Sequence, residues 1–319
     1  MEEYFFLAVS NRKNLDLCMR WLTAGFPDTI NGAWAFCDIK VGDFVTFLYA
    51  AKAYRLYKVV EKFAVKNPSS VPPYWEPLVF KESGKKCYFP FRLKLSPIRD
   101  FVEPLTKEKF AYIAENLLQR GGYWKTHFQA DQTTLSQVSQ IEEPAAGRGE
   151  SPPDPEKLEI FEPRFARTKK REEEVYPLRE VIIQAILRHR LLDHRVLSEL
   201  LDHLGIQKEE ELEVLGEKAL PQGYVDILIK RARPRGENRM IAIEVKLGGA
   251  TEKDARQLEA YVEELGRECV AGILMAERIP RHLKARGRIH FMEYSFPLDL
   301  SKPHTFQELL QAVGIAFKE

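Results

Sequence analysis

Cysteine is scarce in this 319-residue chain, and its spacing excludes two classes of site. No two cysteines have the close paired spacing of zinc ligands, and nothing in their placement indicates a disulfide framework. The four positions are Cys18, Cys37, Cys87 and Cys269. They are typical of the reduced thiols of a cytosolic protein, so we predict a cytoplasmic location.

Long apolar runs and an N-terminal secretory signal are also lacking. A membrane-spanning helix needs roughly 18 consecutive apolar residues, so we expect no membrane partner. The sequence has no Walker lysine motif. This excludes an NTP-driven translocase built from this chain alone.

An excess of charge of either sign is missing as well. The chain has 48 Lys and Arg against 47 Asp and Glu, which gives a net charge of +1. No global basic field therefore attracts nucleic acid. Any such binding must come from local basic patches, for which residues 230–239 and 284–288 are candidates.

The length and one polar interval indicate two domains. A chain of this size is expected to form two domains, each with its own core. Residues 136–171 have few large apolar side chains and include Pro144–Gly149 and Ser151–Pro155, whose composition is typical of a semi-flexible spacer. We predict a domain over residues 1–135, this linker, and a second domain over 172–319, in an α+β or α/β fold class.

Two predicted strands of the second half bring three charged side chains together. Residues 224–230 and 240–247 alternate in the manner of half-buried strands. Asp226 lies in the first strand, and Glu244 and Lys246 lie in the second. Side chains two residues apart on a strand share a face and are roughly 6.5 Å apart, so Glu244 and Lys246 point the same way.

These residue types suit the hydrolysis of phosphodiesters with a divalent metal. Asp226 and Glu244 would supply the hard oxygen ligands that Mg²⁺ prefers, and Mn²⁺ is expected to substitute for it. The metal would lower the pKa of a water and offset charge on the phosphate, while Lys246 orients the attacking water. The alternative is that Asp226 and Lys246 form a solvated pair, because an isolated pattern of this kind also arises by chance.

The flanking residues predict a core with the element order αβββαβ. Apolar residues at helical spacing span 179–189, and Thr251 is positioned to cap a later helix. On that later helix, Gln257 and Tyr261 are four residues apart and share a face. The remaining elements are predicted to be strands over 211–215, 271–276 and 289–294 and a helix over 279–286.

Three motifs in this order resemble those of a nuclease family. Gly223–Leu228, Ile243–Lys246 and Gln257–Tyr261 are similar to the G-V-D-I-L, I-E-V-K and Q-L-x-x-Y motifs of the RecB-like branch of the PD-(D/E)xK nucleases, and above all of its NucS-type domain. The resemblance covers roughly residues 172–296. It implies a metal-dependent endodeoxyribonuclease with the PD-(D/E)xK fold.

The resemblance also implies roles for three further side chains. An acid on the first helix of the family often joins the metal site, and Glu180 is our candidate for it. Glu174 and Glu199 are rivals, and a plain helix-surface position for Glu180 is the alternative. Gln257 and Tyr261 are implied to contact DNA or to support the metal site, although a tyrosine on an amphipathic helix otherwise packs in the core.

The first half of the chain has a different pattern. Strands are predicted over residues 4–9, 44–49 and 56–60. Lys40–Asp43 resembles the K-x-G-D turn of the PUA-like barrels of the EVE and YTH group. Gly25–Asp28 and Tyr88–Leu93 are similar to the N-terminal reader domain of archaeal McrB-type restriction proteins.

That likeness implies a PUA-like β-barrel with helices and a pocket for a flipped, modified base. An aromatic ring that stacks on a base contributes on the order of 1–3 kcal/mol. Candidate walls of the pocket are Trp21, Trp34, Phe36, Tyr49 and Trp75. The alternative is that these aromatic side chains fill the barrel core.

Together, these features predict a modification-dependent, restriction-type DNA endonuclease. N6-methyladenine is the first candidate for the mark, and 5-methylcytosine or its hydroxymethyl form is the second. The expected partner is double-stranded, base-modified DNA, and a homodimer is expected for cleavage of both strands. A NucS-like nuclease acting on mismatched or branched DNA and a non-catalytic reader of modified nucleic acid are the alternatives.

Overall fold

The computed structural model describes residues 2–80, 83–101, 103–106, 125–140, 143–144, 150, 153–168, 173–207, 211–221, 223–234 and 236–318. Helices and several β-sheets occur in this part of the chain, as the predicted α+β class requires. The chain separates into two compact units. The first comprises residues 1–164 and 172–176, and the second comprises residues 165–171 and 177–319. None of the described helices has the length and apolar character needed to cross a lipid bilayer.

The first unit combines helices with short and long strands. Its described helices are α1 (Arg12–Arg20), α2 (Ile30–Asp38) and α3 (Gln132–Ser139). Its strands are β1 (Tyr4–Ala8), β2 (Thr23–Phe26), β3 (Phe44–Tyr49), β4 (Lys52–Val65), β5 (Leu78–Val79), β6 (Lys86–Cys87), β7 (Phe91–Asp100), β8 (Leu105–Thr106), β9 (His127–Ala130), β10 (Glu143–Pro144) and β11 (Ile160–Phe161). The three predicted strands are confirmed as β1, β3 and the middle of β4.

One large sheet organises this unit. Its order is β10–β7–β4–β3–β1–β9, with β2 paired to β7 and with β8 and β11 paired to β4. Strand β1 runs parallel to β3, and Tyr4 to Leu7 are buried, as expected for a central strand covered on both faces. No pairing between the described strands closes this sheet into the barrel that the sequence predicts.

The K-x-G-D turn before β3 has a clear structural role. Gly42 has φ +100°, a conformation that glycine adopts without steric cost. The carboxylate of Asp43 accepts hydrogen bonds from the backbone amides of Lys40 (2.8 Å) and Glu3 (2.9 Å). Burial and the nearby charge of Glu3 raise the pKa of Asp43 to about 6. The turn therefore ties the start of β3 to the start of β1.

The interval predicted as a linker, residues 136–171, contributes strands to the first unit. β10 pairs with β7, and β11 pairs with β4, opposite Ala64 and Val65. The ring of Phe161 lies 5.9 Å from that of Phe91. Low apolar content suggested a spacer, but two adjacent apolar residues suffice to add an edge strand.

The second unit is built on one six-stranded sheet. Its helices are α4 (Glu180–Leu191), α5 (His194–His203), α6 (Glu252–Leu265) and α7 (Phe306–Ala312). Its strands are β14 (Leu212–Leu220), β15 (Gly223–Arg231), β16 (Met240–Gly249), β17 (Cys269–Arg278), β18 (Ile289–Ser295), β19 (His304–Thr305) and β20 (Gly314–Phe317). Two short strands, β12 (Arg164–Ala166) and β13 (Val175–Pro177), occur where the chain passes between the units.

The sheet order in the second unit is β14–β15–β16–β17–β18–β20. The first three strands are antiparallel neighbours, and β16, β17 and β18 are parallel to one another. Helix α6 connects β16 to β17 and buries Leu258 and Val262. The predicted order of helix, three strands, helix and strand is present, with α5 as an additional helix after the first.

The helix predicted over residues 279–286 is wrong. The chain between β17 and β18 forms turns, with Leu283 donating a backbone hydrogen bond to Pro280 (3.0 Å). The backbone amide of Ile279 donates a hydrogen bond to the carboxylate of Glu293 (2.7 Å). The segment contains four basic residues and no acid, so it lacks internal i,i+4 pairs of the kind that stabilise a helix.

Candidate active site

Asp226 lies where two central strands stop pairing. The ladder between β15 and β16 ends at Ile227–Ile243. The next amide of β16, that of Val245, donates to Oδ2 of Asp226 (2.7 Å) instead. Asp226 is 8% exposed, so this carboxylate is held at the end of the ladder with little solvent around it.

Glu244 is more deeply buried, and among the described residues only one of its two carboxylate oxygens has a hydrogen-bond partner. Its side chain is 1% exposed. Oε1 accepts hydrogen bonds from Lys246 Nζ (2.7 Å) and Gln257 Nε2 (3.0 Å). Oε2 is buried and has no hydrogen-bond partner among the described residues. A buried acceptor without a partner is costly, which points to a group that this oxygen is meant to bind.

Lys246 links the two acidic sides of the site. Its ammonium group lies 2.7 Å from Glu244 Oε1 and 3.4 Å from Glu180 Oε1. Glu180 is the first residue of α4, where a carboxylate also interacts favourably with the helix dipole. Lys246 therefore contacts both Glu180 and Glu244, two of the predicted acidic side chains.

The end of β16 departs from a regular strand beside Lys246. The register with β17 shifts between Lys246 and Gly249. The carbonyl of Lys246 accepts a hydrogen bond from the Tyr294 hydroxyl (2.9 Å), and the amide of Leu247 donates to Glu180 Oε2 (3.1 Å). These two contacts fix the backbone that carries the lysine. The sequence analysis missed Tyr294, and only the adjacency of β16, β17 and β18 would have indicated it.

Gln257 and Tyr261 support Glu244 from α6. The helix begins with a capping box between Thr251 and Asp254, as the sequence predicts for its start. Gln257 Nε2 donates to Glu244 Oε1 and to the Tyr261 hydroxyl (2.7 Å). Tyr261 is 2% exposed, as core packing requires, and its hydroxyl contacts Gln257, so its role in supporting the site stays a prediction.

Gly223 is the residue that leaves room for Tyr261. Its φ is +155°, and a Cβ atom placed on it would lie 2.4 Å from the Tyr261 hydroxyl. That hydroxyl also accepts a hydrogen bond from the amide of Tyr224 (3.2 Å). The glycine of the G-x-x-D motif thus permits the contact between β15 and α6.

We expect Gly223→Ala to disturb this contact strongly. The methyl group would displace Tyr261 and, with it, Gln257, in addition to the backbone strain of about 1–3 kcal/mol. Thermal unfolding should show a larger loss of stability than in Gly205→Ala. Gly205 also has a positive φ, +65°, but a Cβ there meets nothing within 4 Å. Equal losses in the two variants would show that the contact with Tyr261 contributes nothing.

The electrostatics of the site reflect crowded negative charge. Burial, and then the charge of Glu244, raise the pKa of Asp226 well above its ordinary value. Burial also raises the pKa of Glu244, although the ammonium of Lys246 opposes that shift. Burial alone would lower the pKa of Lys246, but the carboxylates of Glu244, Asp226 and Glu180 outweigh it and raise that pKa. The lysine is therefore a stable cation, and among the described residues no second cation forms an ion pair with either carboxyl.

The donor set suits a hard divalent cation with few protein ligands. Among the described residues, no group of three or more Asp, Glu, His or Cys side chains is arranged to hold a metal ion. Mg²⁺ nevertheless binds through one or two carboxylates and keeps several waters. Asp226 and the unpartnered Oε2 of Glu244 are two such carboxylates, and a cation beside them would favour the charged forms that burial disfavours.

The rival acids are placed elsewhere. Glu174 belongs to the first unit, where its carboxylate lies 3.2 Å from Lys66 Nζ. Glu199 is an exposed residue of α5. Glu180 is the acid that contacts Lys246.

The aromatic residues predicted to line a base pocket are largely packed inside the first unit. Trp34 is 6% exposed and lies edge-on to His127, with ring centroids 4.5 Å apart. Phe36 is buried against Phe91. Trp21, at the end of α1, and Tyr49 are partly buried. Their role in binding a base stays a prediction.

Trp75 is buried by three neighbours. Its ring lies so close to Gly25 that a Cβ there would come within 2.4 Å of it. The Phe89 ring lies 5.6 Å away, and the guanidinium of Arg92 lies 5.1 Å from the ring centroid. A cavity of about 610 Å³ opens elsewhere in this unit, lined by Glu2, residues 40–43, Gln132 and Leu135. None of the five predicted aromatic residues lines it.

Comparison with known proteins gives a partial likeness. No family model and no curated protein matches the chain. Among solved structures, the chain is similar to one described as "Structure of EndoMS-dsDNA2 complex", with 28% identity over 27% of this chain and a TM-score of 0.19. The match spans 36% of the length of that solved chain.

Proposed function

We propose that the second unit is a metal-dependent endodeoxyribonuclease and that the first unit recognises a modified base in DNA. The chain would then act as a modification-dependent restriction-type enzyme. The observation that supports this best is the meeting of Asp226, Glu244 and Lys246 at the end of one strand ladder, with Oε2 of Glu244 buried and unpartnered.

Asp226 and Glu244 would hold Mg²⁺ or Mn²⁺, and Glu180, which contacts Lys246, would be an additional carboxylate at the site. When bound, the ion supplies electrophilic stabilisation of the phosphate and favours ionisation of an attacking water. Gln257 holds Oε1 of Glu244, so that Oε2 would be the oxygen of this carboxylate that takes the ion.

Lys246 acts as a cation in this proposal. Its raised pKa keeps the ammonium protonated at neutral pH, so it cannot remove a proton from water. A fixed ammonium instead orients the nucleophile and offsets charge that develops on the phosphate. Glu180 and Tyr294 hold the peptide group that follows this residue, between Lys246 and Leu247, and thereby restrict the position of its side chain.

We expect Tyr294→Phe to slow cleavage about tenfold, because one hydrogen bond of about 1–1.5 kcal/mol that positions Lys246 is lost. The ring remains, so the core should stay packed. Rates at saturating DNA and Mg²⁺ isolate this effect from substrate binding. Tyr4→Phe is the matched control, since it removes a buried hydroxyl bonded to Thr46 (2.8 Å) in the first unit. Equal rates in the two variants would leave Tyr294 with only a structural role.

One digestion experiment tests the whole proposal. The full chain is incubated with Mg²⁺ or Mn²⁺ and with duplexes that differ only in one base: unmodified, N6-methyladenine, 5-methylcytosine or 5-hydroxymethylcytosine. Cleavage of one marked duplex alone is the expected result. Equal cleavage of all four would contradict the reader, and absence of cleavage with either metal would contradict the nuclease. An unmodified duplex of the same sequence that carries one mismatch tests the repair alternative.

A further inference from the structure

A surface loop of the first unit is held in place by a buried cation. Arg92 has no solvent exposure. Its guanidinium donates hydrogen bonds to the carbonyl oxygens of Pro68 (3.1 Å), Val71 (2.9 Å) and Pro72. Burial of a guanidinium requires such partners, and here all three belong to one loop. That loop is therefore fixed in shape before any ligand arrives.

The fixed loop presents a tyrosine to solvent. Tyr74 is 63% exposed, whereas its neighbour Trp75 is buried. The contact between the rings of Trp75 and Phe89 joins this loop to the chain just after β6. Tyr88, which directly precedes Phe89, is also exposed. The exposed Tyr74 and Tyr88 are thus the chain neighbours of Trp75 and Phe89, whose rings contact each other.

The hairpin β5–β6 extends this surface. Val79 pairs with Lys86, so their side chains are neighbours on one face. Cys87 is buried, and the alternation along the strand places Lys86 on the outward side. Val79 is 57% exposed. Val79 and Lys86 thus form an exposed face of the hairpin, and the exposed Tyr88 follows directly after it in the chain.

The charge of this face is positive. Lys85 and Lys86 are exposed, and neither ammonium group is paired with a carboxylate of the described residues. The nearby acid, Glu76, is occupied by Lys13 (2.7 Å) and Asn11 (3.3 Å). A ligand with negative charge and flat apolar faces is complementary to such a surface.

We propose that Tyr74, Val79, Lys85, Lys86 and Tyr88 form a docking surface for a single-stranded stretch of DNA. The inference rests on the proposed function and adds a strand-binding surface to the first unit. The two phenol rings would stack on bases, and the two lysines would contact phosphates. A base inside a stacked duplex does not offer its face to a protein ring, so an unpaired segment is the fitting occupant.

Binding is measured with the full chain in EDTA, so that hydrolysis does not interfere. The probe is a fluorescently labelled single-stranded oligonucleotide, and the readout is fluorescence anisotropy. Tyr74→Ala and Tyr88→Ala should each weaken binding about 5- to 150-fold, the range for loss of one stacked base. Tyr74→Phe and Tyr88→Phe should bind like the wild type, because the ring remains. Val60→Ala, which also removes an exposed apolar side chain, is the control.

The lysines are tested through salt dependence. Each phosphate contact contributes about 0.7 to the slope of log affinity against log salt for a single strand. Changing both Lys85 and Lys86 to Ala should therefore reduce that slope by about 1.4. Lys157→Ala, at an exposed lysine outside this surface, should leave the slope unchanged.

The inference is overturned if the wild type does not bind the single strand, or if the two alanine variants bind it as the wild type does. The inference is also overturned if the wild type binds an intact duplex as tightly as the single strand and if both tyrosine variants keep that duplex affinity. Binding of this face to a protein, with no affinity for the single strand, would overturn it too. Cleavage assays with Mg²⁺ report separately on the second unit. Cleavage without any effect of Tyr74 defeats this inference alone, and tyrosine-dependent binding without cleavage defeats the nuclease alone.

Discussion

Asp226→Asn and Glu244→Gln should each reduce Mg²⁺-dependent cleavage by at least about 10³-fold. Each change removes one of the two carboxylates that would hold the ion, and the ion's charge stabilisation is worth several kcal/mol. Both replacements keep the side-chain volume. The amide that replaces the Asp226 carboxylate retains an oxygen for the Val245 backbone N–H, so the fold should survive. Cleavage rates on a marked duplex provide the measurement.

The same variants have a readout that does not depend on activity. Both carboxyls have folded-state pKa values above their ordinary values, so their contribution to stability is present at low pH and is lost as the pH rises through the raised values. In EDTA at neutral pH, Asp226→Asn should therefore unfold at a higher temperature than the wild type. Adding Mg²⁺ should stabilise the wild type by about 2.7 kcal/mol at a concentration hundredfold above its dissociation constant, and the variant should not respond.

The rival acids serve as controls for this prediction. Glu174→Gln and Glu199→Gln remove carboxylates that lie in the first unit and on the exposed side of α5. Neither change should alter the Mg²⁺ response or the rate. Wild-type cleavage by Asp226→Asn, or an unchanged thermal shift with Mg²⁺, would contradict the metal site as assigned.

The sequence predicted the central part of this site because strand periodicity is a strong constraint. Two alternating strands with Asp226, Glu244 and Lys246 leave few ways to arrange these side chains. Gln257 was found for the same kind of reason, since helical spacing places it above Tyr261 and the family motif places both near the strands. Local periodicity therefore indicated which side chains share a face, and the motif resemblance indicated which elements bring them together.

Contacts that depend on irregular backbone were not predictable in the same way. The shift in register after Lys246 exposes one carbonyl to Tyr294 and one amide to Glu180, and neither partner is near in sequence. The wrong helix over 279–286 has a related cause. This helix was expected from the resemblance to the nuclease domain, but the tertiary contact of Ile279 and the lack of acids within the segment oppose it.

The barrel predicted for residues 1–135 shows a third limit. Individual strands were identified, yet strand periodicity does not determine which edges pair. The observed sheet branches at β4 and β7, each of which carries more than two partners along its length. A 14-residue strand such as β4 can accept several short partners, and a pattern of alternating residues does not reveal that length.

Lys246→Ala should reduce cleavage about 10²–10³-fold, the usual consequence of losing one preorganised electrostatic group. Metal binding should persist, since Lys246 contacts Oε1 of Glu244 and the proposal assigns the ion to Oε2. Titration calorimetry with Mg²⁺ and single-turnover rates separate these two effects.

In the wild type the rate should rise as the carboxyls lose protons and then stay level through mildly alkaline pH, because Lys246 has a raised pKa and remains charged there. Lys246→Arg keeps the charge and should recover part of the rate. Loss of Mg²⁺ affinity with normal chemistry in Lys246→Ala would reverse the role assigned to this residue.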